Sequence, residues 1–100
     1  ILPIIVSHGE GKAIFSNNKF SKTAIINYVD ESNKVSMKYP FNPNGSINGS
    51  NGFTNNDGRI TILMPHPERL YEISQYSYKS ADWKISPWMK FFINAREWLK

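Results

Sequence analysis

Apolar residues come in short bursts through the first two thirds of the chain and recur at helical spacing only near its end. Residues 3–7 form a β-branched apolar run that fits a buried strand. His8-Gly9-Glu10-Gly11 reads as a turn with two glycines, and residues 12–16 alternate polar and apolar as a returning strand would. Asn17-Asn18 is a break. Residues 23–30, with Ile25, Ile26, Tyr28 and Val29, form the next strand. Residues 31–34 are a polar turn and residues 35–39 a short strand after it. Residues 40–52 are almost wholly Asn, Gly, Ser and Pro, a long loop whose side chains favour turns. A strand over 52–55, a tight turn at Asn56-Asp57-Gly58 and a strand over 59–64 complete a hairpin signal. Residues 67–71 predict a short helix with Pro67 in its first turn, and residues 76–86 read as irregular. Ser86 as N-cap and Pro87 at the first helical position open a helix to Lys100. Trp88, Phe91, Phe92, Ala95, Trp98 and Leu99 lie at three- and four-residue spacing, a stripe that calls for a partner surface. The pattern predicts an α/β chain with several strands, some in hairpins, and a C-terminal helix packed on the fold. It shows no repeat and no internal boundary.

Composition narrows this picture only a little. One hundred residues make one small domain or part of a larger one. A hydrophobic share of 40% and an aromatic share of 14% argue for an ordered chain. The net charge of +4 comes from scattered lysines and arginines rather than a basic run, a poor footprint for nucleic acid. Trp83, Trp88 and Trp98 lie near lysines, yet the helical spacing of the last two suits packing better than base stacking. The absence of cysteine excludes disulfides and thiolate metal sites. The longest apolar stretch, residues 1–6, is far too short for a membrane span. The chain opens on Ile1 inside a strand-like run, which predicts that sequence precedes it; a processed or trimmed chain is the other reading.

The chemistry concentrates in Met64-Pro65-His66-Pro67-Glu68-Arg69. Pro67 pushes His66 out of helical space, and in an extended backbone residues two apart project to one side. An imidazole and a carboxylate held together are the base and orienter of a nucleophilic triad. The third member, a nucleophile, is missing. Arg69 reads as structural. His8 and Glu10 repeat the His-x-Glu spacing, so four nitrogen and oxygen donors invite a metal reading, although the spacing is generic. The glycine turn would also let backbone amides approach a polar ligand. A stand-alone binding module for nucleic acid or metal, and an inactive remnant of a longer reading frame, are the competing classes.

Several motifs in order carry a resemblance. Pro3-Ile4-Ile5-Val6-Ser7-His8-Gly9-Glu10-Gly11, Tyr28-Val29-Asp30, Asn42-Pro43-Asn44-Gly45-Ser46 and Met64-Pro65-His66-Pro67-Glu68-Arg69 resemble the glutaminase end of the phosphoribosylformylglycinamidine synthases. Ser86-Pro87-Trp88-Met89 and Phe92-Ile93-Asn94-Ala95-Arg96 resemble the tail of their large single-chain form. The resemblance implies the C-terminal part of a class I glutamine amidotransferase domain of flavodoxin-like fold over residues 1–100, with the nucleophile-bearing part absent. It implies a Cys-His-Glu triad in which His66 is the base and Glu68 its orienting acid, and a glutamine pocket lined by Ser7, His8, Gly9 and Glu10. The parent enzymes are ATP-driven carbon–nitrogen ligases of purine biosynthesis. They release ammonia from glutamine and use ATP and Mg to convert formylglycinamide ribonucleotide to its amidine. For this chain that means no cofactor and no metal of its own. It means a cytoplasmic location, with glutamine and the remainder of the synthase as partners, and neither nucleic acid nor membrane. The isolated chain is expected to be inactive, because the nucleophile is missing. It is also expected to be poorly soluble or self-associating, because its last helix expects company.

Overall fold

The structure, a computed structural model, describes residues 1–7, 11–17 and 23–100. The chain forms two compact units. One comprises Ile1 with Val6–Pro65, the other Leu2–Ile5 with His66–Lys100.

The first unit is built on a three-stranded antiparallel sheet: β1 (Ala24–Asn27), β2 (Ser50–Thr54) and β3 (Thr61–Leu63), with β2 in the middle. β2 and β3 form the expected hairpin, with Gly52 opposite Leu63, Phe53 opposite Ile62 and Thr54 opposite Thr61. Gly58 takes the left-handed conformation the turn needs (φ 73°), and Asp57 Oδ1 accepts the Arg59 amide at 3.1 Å. β1 pairs with β2 in an irregular register, Ala24 with Phe53, Ile26 with Gly52 and Asn27 with Ser50.

The central strand is Ser-Asn-Gly-Phe-Thr, and its first three residues fall in the stretch that reads as loop. Close approach explains them. A Cβ on Gly52 would lie 2.7 Å from Leu63 Cδ2 and 3.1 Å from Ile26 Cβ, so the neighbouring strands close over this position only if it is glycine. Residues 50–53 are all buried, whereas Ile25 and Ile62 on the flanking strands are exposed.

Three other expected strands do not form. Residues 12–16 keep the alternating exposure of a strand, and Phe15 packs its ring 5.0 Å from Phe53. They nevertheless form no strand. In residues 35–39 only Val35 pairs, by a single bridge to Val29. The Ser36 hydroxyl takes the Lys38 amide at 3.1 Å, and such local bonding competes with a ladder. The turn before it is as expected: Asp30 Oδ1 accepts the amides of Ser32 and Lys34 at 2.9 and 3.0 Å, and Asn33 supplies the positive φ. In residues 3–7 only Ile5 bridges, to His66. Pro3 has no amide hydrogen, and its carbonyl accepts the indole N–H of Trp88 at 2.8 Å instead of a neighbouring strand. The turn at His8-Gly9-Glu10 lies outside the described residues.

The long polar loop is ordered by its own side chains. Asn42, 3% exposed, donates to the carbonyls of Ser36 (3.1 Å) and Ser46 (2.9 Å) and accepts the Ser46 amide (3.0 Å). Asn44 accepts the Ser46 hydroxyl at 2.6 Å and donates to the Gly11 carbonyl at 2.8 Å.

The second unit holds single 3-10 turns at Pro67–Arg69 and Ile73–Gln75 and the helix α1 (Met89–Trp98). Its buried residues include Leu70, Tyr76 and Ser86. The helix starts at Met89, with Trp88 rather than Ser86 at its N-cap and no side-chain cap; the Ser86 hydroxyl instead accepts the Trp88 amide at 3.2 Å in the turn that leads into it. No residue of α1 is buried, and Trp98 and Leu99 are largely exposed, so the apolar stripe is not covered as the sequence pattern expects.

Candidate active site

His66 and Glu68 meet. The His66 Nδ1 and Glu68 Oε1 atoms are 2.6 Å apart, the length of a strong charge-assisted hydrogen bond. The route to this contact differs from the expected one. His66 is held out of helical space (φ −112°, ψ 83°), as a residue before proline should be, without reaching the extended region. Glu68, however, sits inside the 3-10 turn rather than on an extended strand. Pro67 suits the first position of that turn because its φ is already helical and no amide hydrogen is needed there. The turn closes through Arg69 N–H to the His66 carbonyl at 3.2 Å and Leu70 N–H to the Pro67 carbonyl at 3.0 Å. Curling the chain, not strand alternation, swings the carboxylate back onto the imidazole.

The backbone of His66 is held as well. Its amide donates to the Ile5 carbonyl at 2.8 Å. An apolar recess of about 280 Å³, lined by Tyr71, Met89 and Phe92, flanks Glu68. The dyad itself stays accessible, with 31% of the His66 side chain and 57% of the Glu68 side chain exposed.

The electrostatics follow from the contact. The His66 hydrogen bond holds the Glu68 carboxyl below the usual glutamate range, helped by the Glu68 backbone amide and by the charges of His66 and Arg69. An ionised carboxylate only accepts hydrogen bonds. Nδ1 of His66 therefore carries the hydrogen, and Nε2 is left as the basic nitrogen. That is the arrangement of a general base with its orienting acid.

Residues 1–99 match the family model of the CobB/CobQ-like glutamine amidotransferase domain. The chain belongs to this family. A glutaminase-type role for the domain goes with that membership. The amidotransferase fold here combines the antiparallel sheet of the first unit with the C-terminal helix of the second.

Of the other expected site residues of this amidotransferase, Ser7 is exposed and belongs to the first unit, and His8, Gly9 and Glu10 lie outside the described residues. Among the described residues no group of three or more His, Asp or Glu side chains gathers as metal ligands would. Among them, too, no helix is long and apolar enough to cross a membrane. Two supports of the site were not legible in the sequence. Ile5 reads as an ordinary strand residue, yet its carbonyl anchors His66. Ser86 reads as a helix cap, yet its hydroxyl also donates to the Leu70 carbonyl behind the dyad turn. Backbone carbonyls leave no mark in a sequence, so nothing there pointed to either contact.

Proposed function

We propose that this chain supplies the base and orienting acid of the glutaminase in a phosphoribosylformylglycinamidine synthase of the large single-chain form. The observation that carries the proposal is the His66–Glu68 contact in its Pro-His-Pro-Glu corner. The tail from Ser86 onward and the Asn42–Ser46 loop motif support the choice of synthase within the amidotransferase family.

In this reading a cysteine outside the chain completes the triad. Nε2 of His66 takes the thiol proton while Glu68 steadies the imidazolium. The thiolate attacks the carboxamide carbon of glutamine. The carbon–nitrogen bond then breaks, and the imidazolium returns its proton to the departing ammonia. Water, deprotonated by the same nitrogen, hydrolyses the thioester to glutamate. Ser7, His8, Gly9 and Glu10 line the glutamine pocket. The ammonia serves an ATP- and Mg-dependent ligation in the remainder of the synthase, which forms formylglycinamidine ribonucleotide in purine biosynthesis. Glutamine and the rest of the synthase are the partners, without nucleic acid or membrane, in the cytoplasm. The chain itself carries no cofactor.

The test is glutamate release by the native polypeptide that bears the Met64–Arg69 peptide, beside the same polypeptide with His66→Ala and beside this 100-residue chain alone. The expected result is release by the native protein, a loss of at least about a thousandfold in the variant, and none from the isolated chain. Glutamate release by the isolated chain that disappears with His66→Ala would overturn the assignment of the nucleophile to another segment. Full activity of the native variant would overturn the role of His66.

A further inference from the structure

The C-terminal tail is tied to the dyad by a closed circuit of hydrogen bonds. Starting at the turn that carries Glu68, the Leu70 carbonyl accepts the Ser86 hydroxyl. The Tyr76 hydroxyl lies 3.2 Å from the same carbonyl and 2.9 Å from Ser86 Oγ. With Ser86 donating to Leu70, the single Tyr76 proton is shared between those two acceptors. Ser86 Oγ in turn accepts the Trp88 amide at 3.2 Å. The Trp88 indole then donates to the Pro3 carbonyl at 2.8 Å. Two residues on, the Ile5 carbonyl receives the His66 amide at 2.8 Å, which returns the circuit to the dyad. Leu70, Tyr76 and Ser86 are 4%, 7% and 2% exposed, so water competes poorly for the bonds among these three, whereas the Trp88 indole–Pro3 bond is exposed. The Trp83 ring packs against Tyr76 at 5.1 Å and closes one side.

Both ends of the His66–Leu70 segment are thus fixed by groups remote in sequence. The Ile5 carbonyl holds the start and the Tyr76–Ser86 pair holds the finish. Trp88 links the two anchors. A dyad on a single 3-10 turn has little rigidity of its own, because such a turn contributes few hydrogen bonds. Short, directional contacts such as His66–Glu68 depend on the frame around them.

We propose that Tyr76, Ser86 and Trp88 are positioning residues for the His66–Glu68 pair, so that the tail is a working part of the glutaminase site rather than an appendage to it. The proposal rests on the reading of His66 as base and Glu68 as its orienter.

The test uses Trp88→Phe, which keeps a ring but removes the indole donor, and Tyr76→Phe, which removes only the hydroxyl. Ser86→Ala is the third variant; because Ser86 is nearly inaccessible, the two aromatic variants keep the test valid if it does not fold. The first readout is the Glu68 side-chain carboxyl titration by carbon NMR in this chain, with circular dichroism to confirm retained structure. The expected result is a Glu68 titration that moves up toward the ordinary glutamate range in the variants. The second readout is glutaminase kinetics of the native polypeptide, where kcat should fall about tenfold with KM for glutamine unchanged. A merely structural role would lower stability and leave the Glu68 titration of the folded protein in place. An unmoved titration in both folded aromatic variants overturns the proposal. No glutamate release from the native wild-type protein overturns the glutaminase reading instead, and the titration still decides the brace.

Discussion

Asn51→Ala should make this protein more stable, although it truncates one of the most buried side chains in the chain. Asn51 is 1% exposed as the second residue of the central strand, and neither Oδ1 nor Nδ2 has a hydrogen-bond partner among the described residues. Its backbone carbonyl accepts the Met64 amide at 2.9 Å, a bond the substitution leaves alone. A buried amide without partners costs about 1–3 kcal/mol relative to water on protein mutational scales. Removing the carboxamide leaves a void on the order of 40 Å³, which costs about 1 kcal/mol at about 24 cal/mol per Å³. The difference favours alanine by about 0–2 kcal/mol, or up to about 10 °C in Tm for a domain of this size. Asn51→Asp keeps the shape and adds an unpaired buried charge, so it should cost about 3 kcal/mol or more near neutral pH. Urea unfolding followed by far-UV circular dichroism measures both variants against wild type. The reasoning is refuted if alanine lowers stability by more than about 1 kcal/mol while aspartate is no worse than alanine. That pattern would mean the amide is hydrogen-bonded in the folded protein.

Two glycines of like conformation should respond differently to alanine. Gly58 (φ 73°) faces open space, so Gly58→Ala carries only the left-handed strain of about 1 kcal/mol. Gly49 (φ 64°) would place its Cβ 2.9 Å from the Tyr28 carbonyl and 3.1 Å from Val35 Cγ1, so Gly49→Ala should cost about 2–4 kcal/mol. Equal shifts in Tm would contradict this account of the Gly49 environment. For Glu68 the sign with pH follows from its lowered pKa in the folded state. Its stabilising contribution is complete above the ordinary glutamate pKa and is lost as pH falls through the lowered value. Urea midpoints should therefore decline more steeply on acidification in wild type than in Glu68→Gln, and parallel declines would count against the His66–Glu68 bond.

Local chemistry was readable from the residues alone where it depends on near neighbours. Asp57-Gly58 specified a hairpin turn because the positive φ and the Asp57 side-chain acceptor are local properties. Ser86-Pro87 marked the approach to the last helix, which begins two residues later than those residues predict. Pro67 kept His66 out of helical space, and that steric rule operates within a dipeptide. The family was legible as well, through an ordered series of motifs along the chain. What the sequence could not reveal is contact between distant segments. Ser50-Asn51-Gly52 has the composition of a loop and becomes the central strand because β1 and β3 close over a residue without a side chain. Residues 3–7 have the composition of a strand and contribute one bridge, because the Pro3 carbonyl is claimed by an indole far along the chain. The side-by-side placement of His66 and Glu68 was expected from strand alternation but is produced by a turn. Propensity describes what a segment does alone, whereas pairing, close approach and hydrogen-bond partners are settled by whatever the rest of the chain brings beside it.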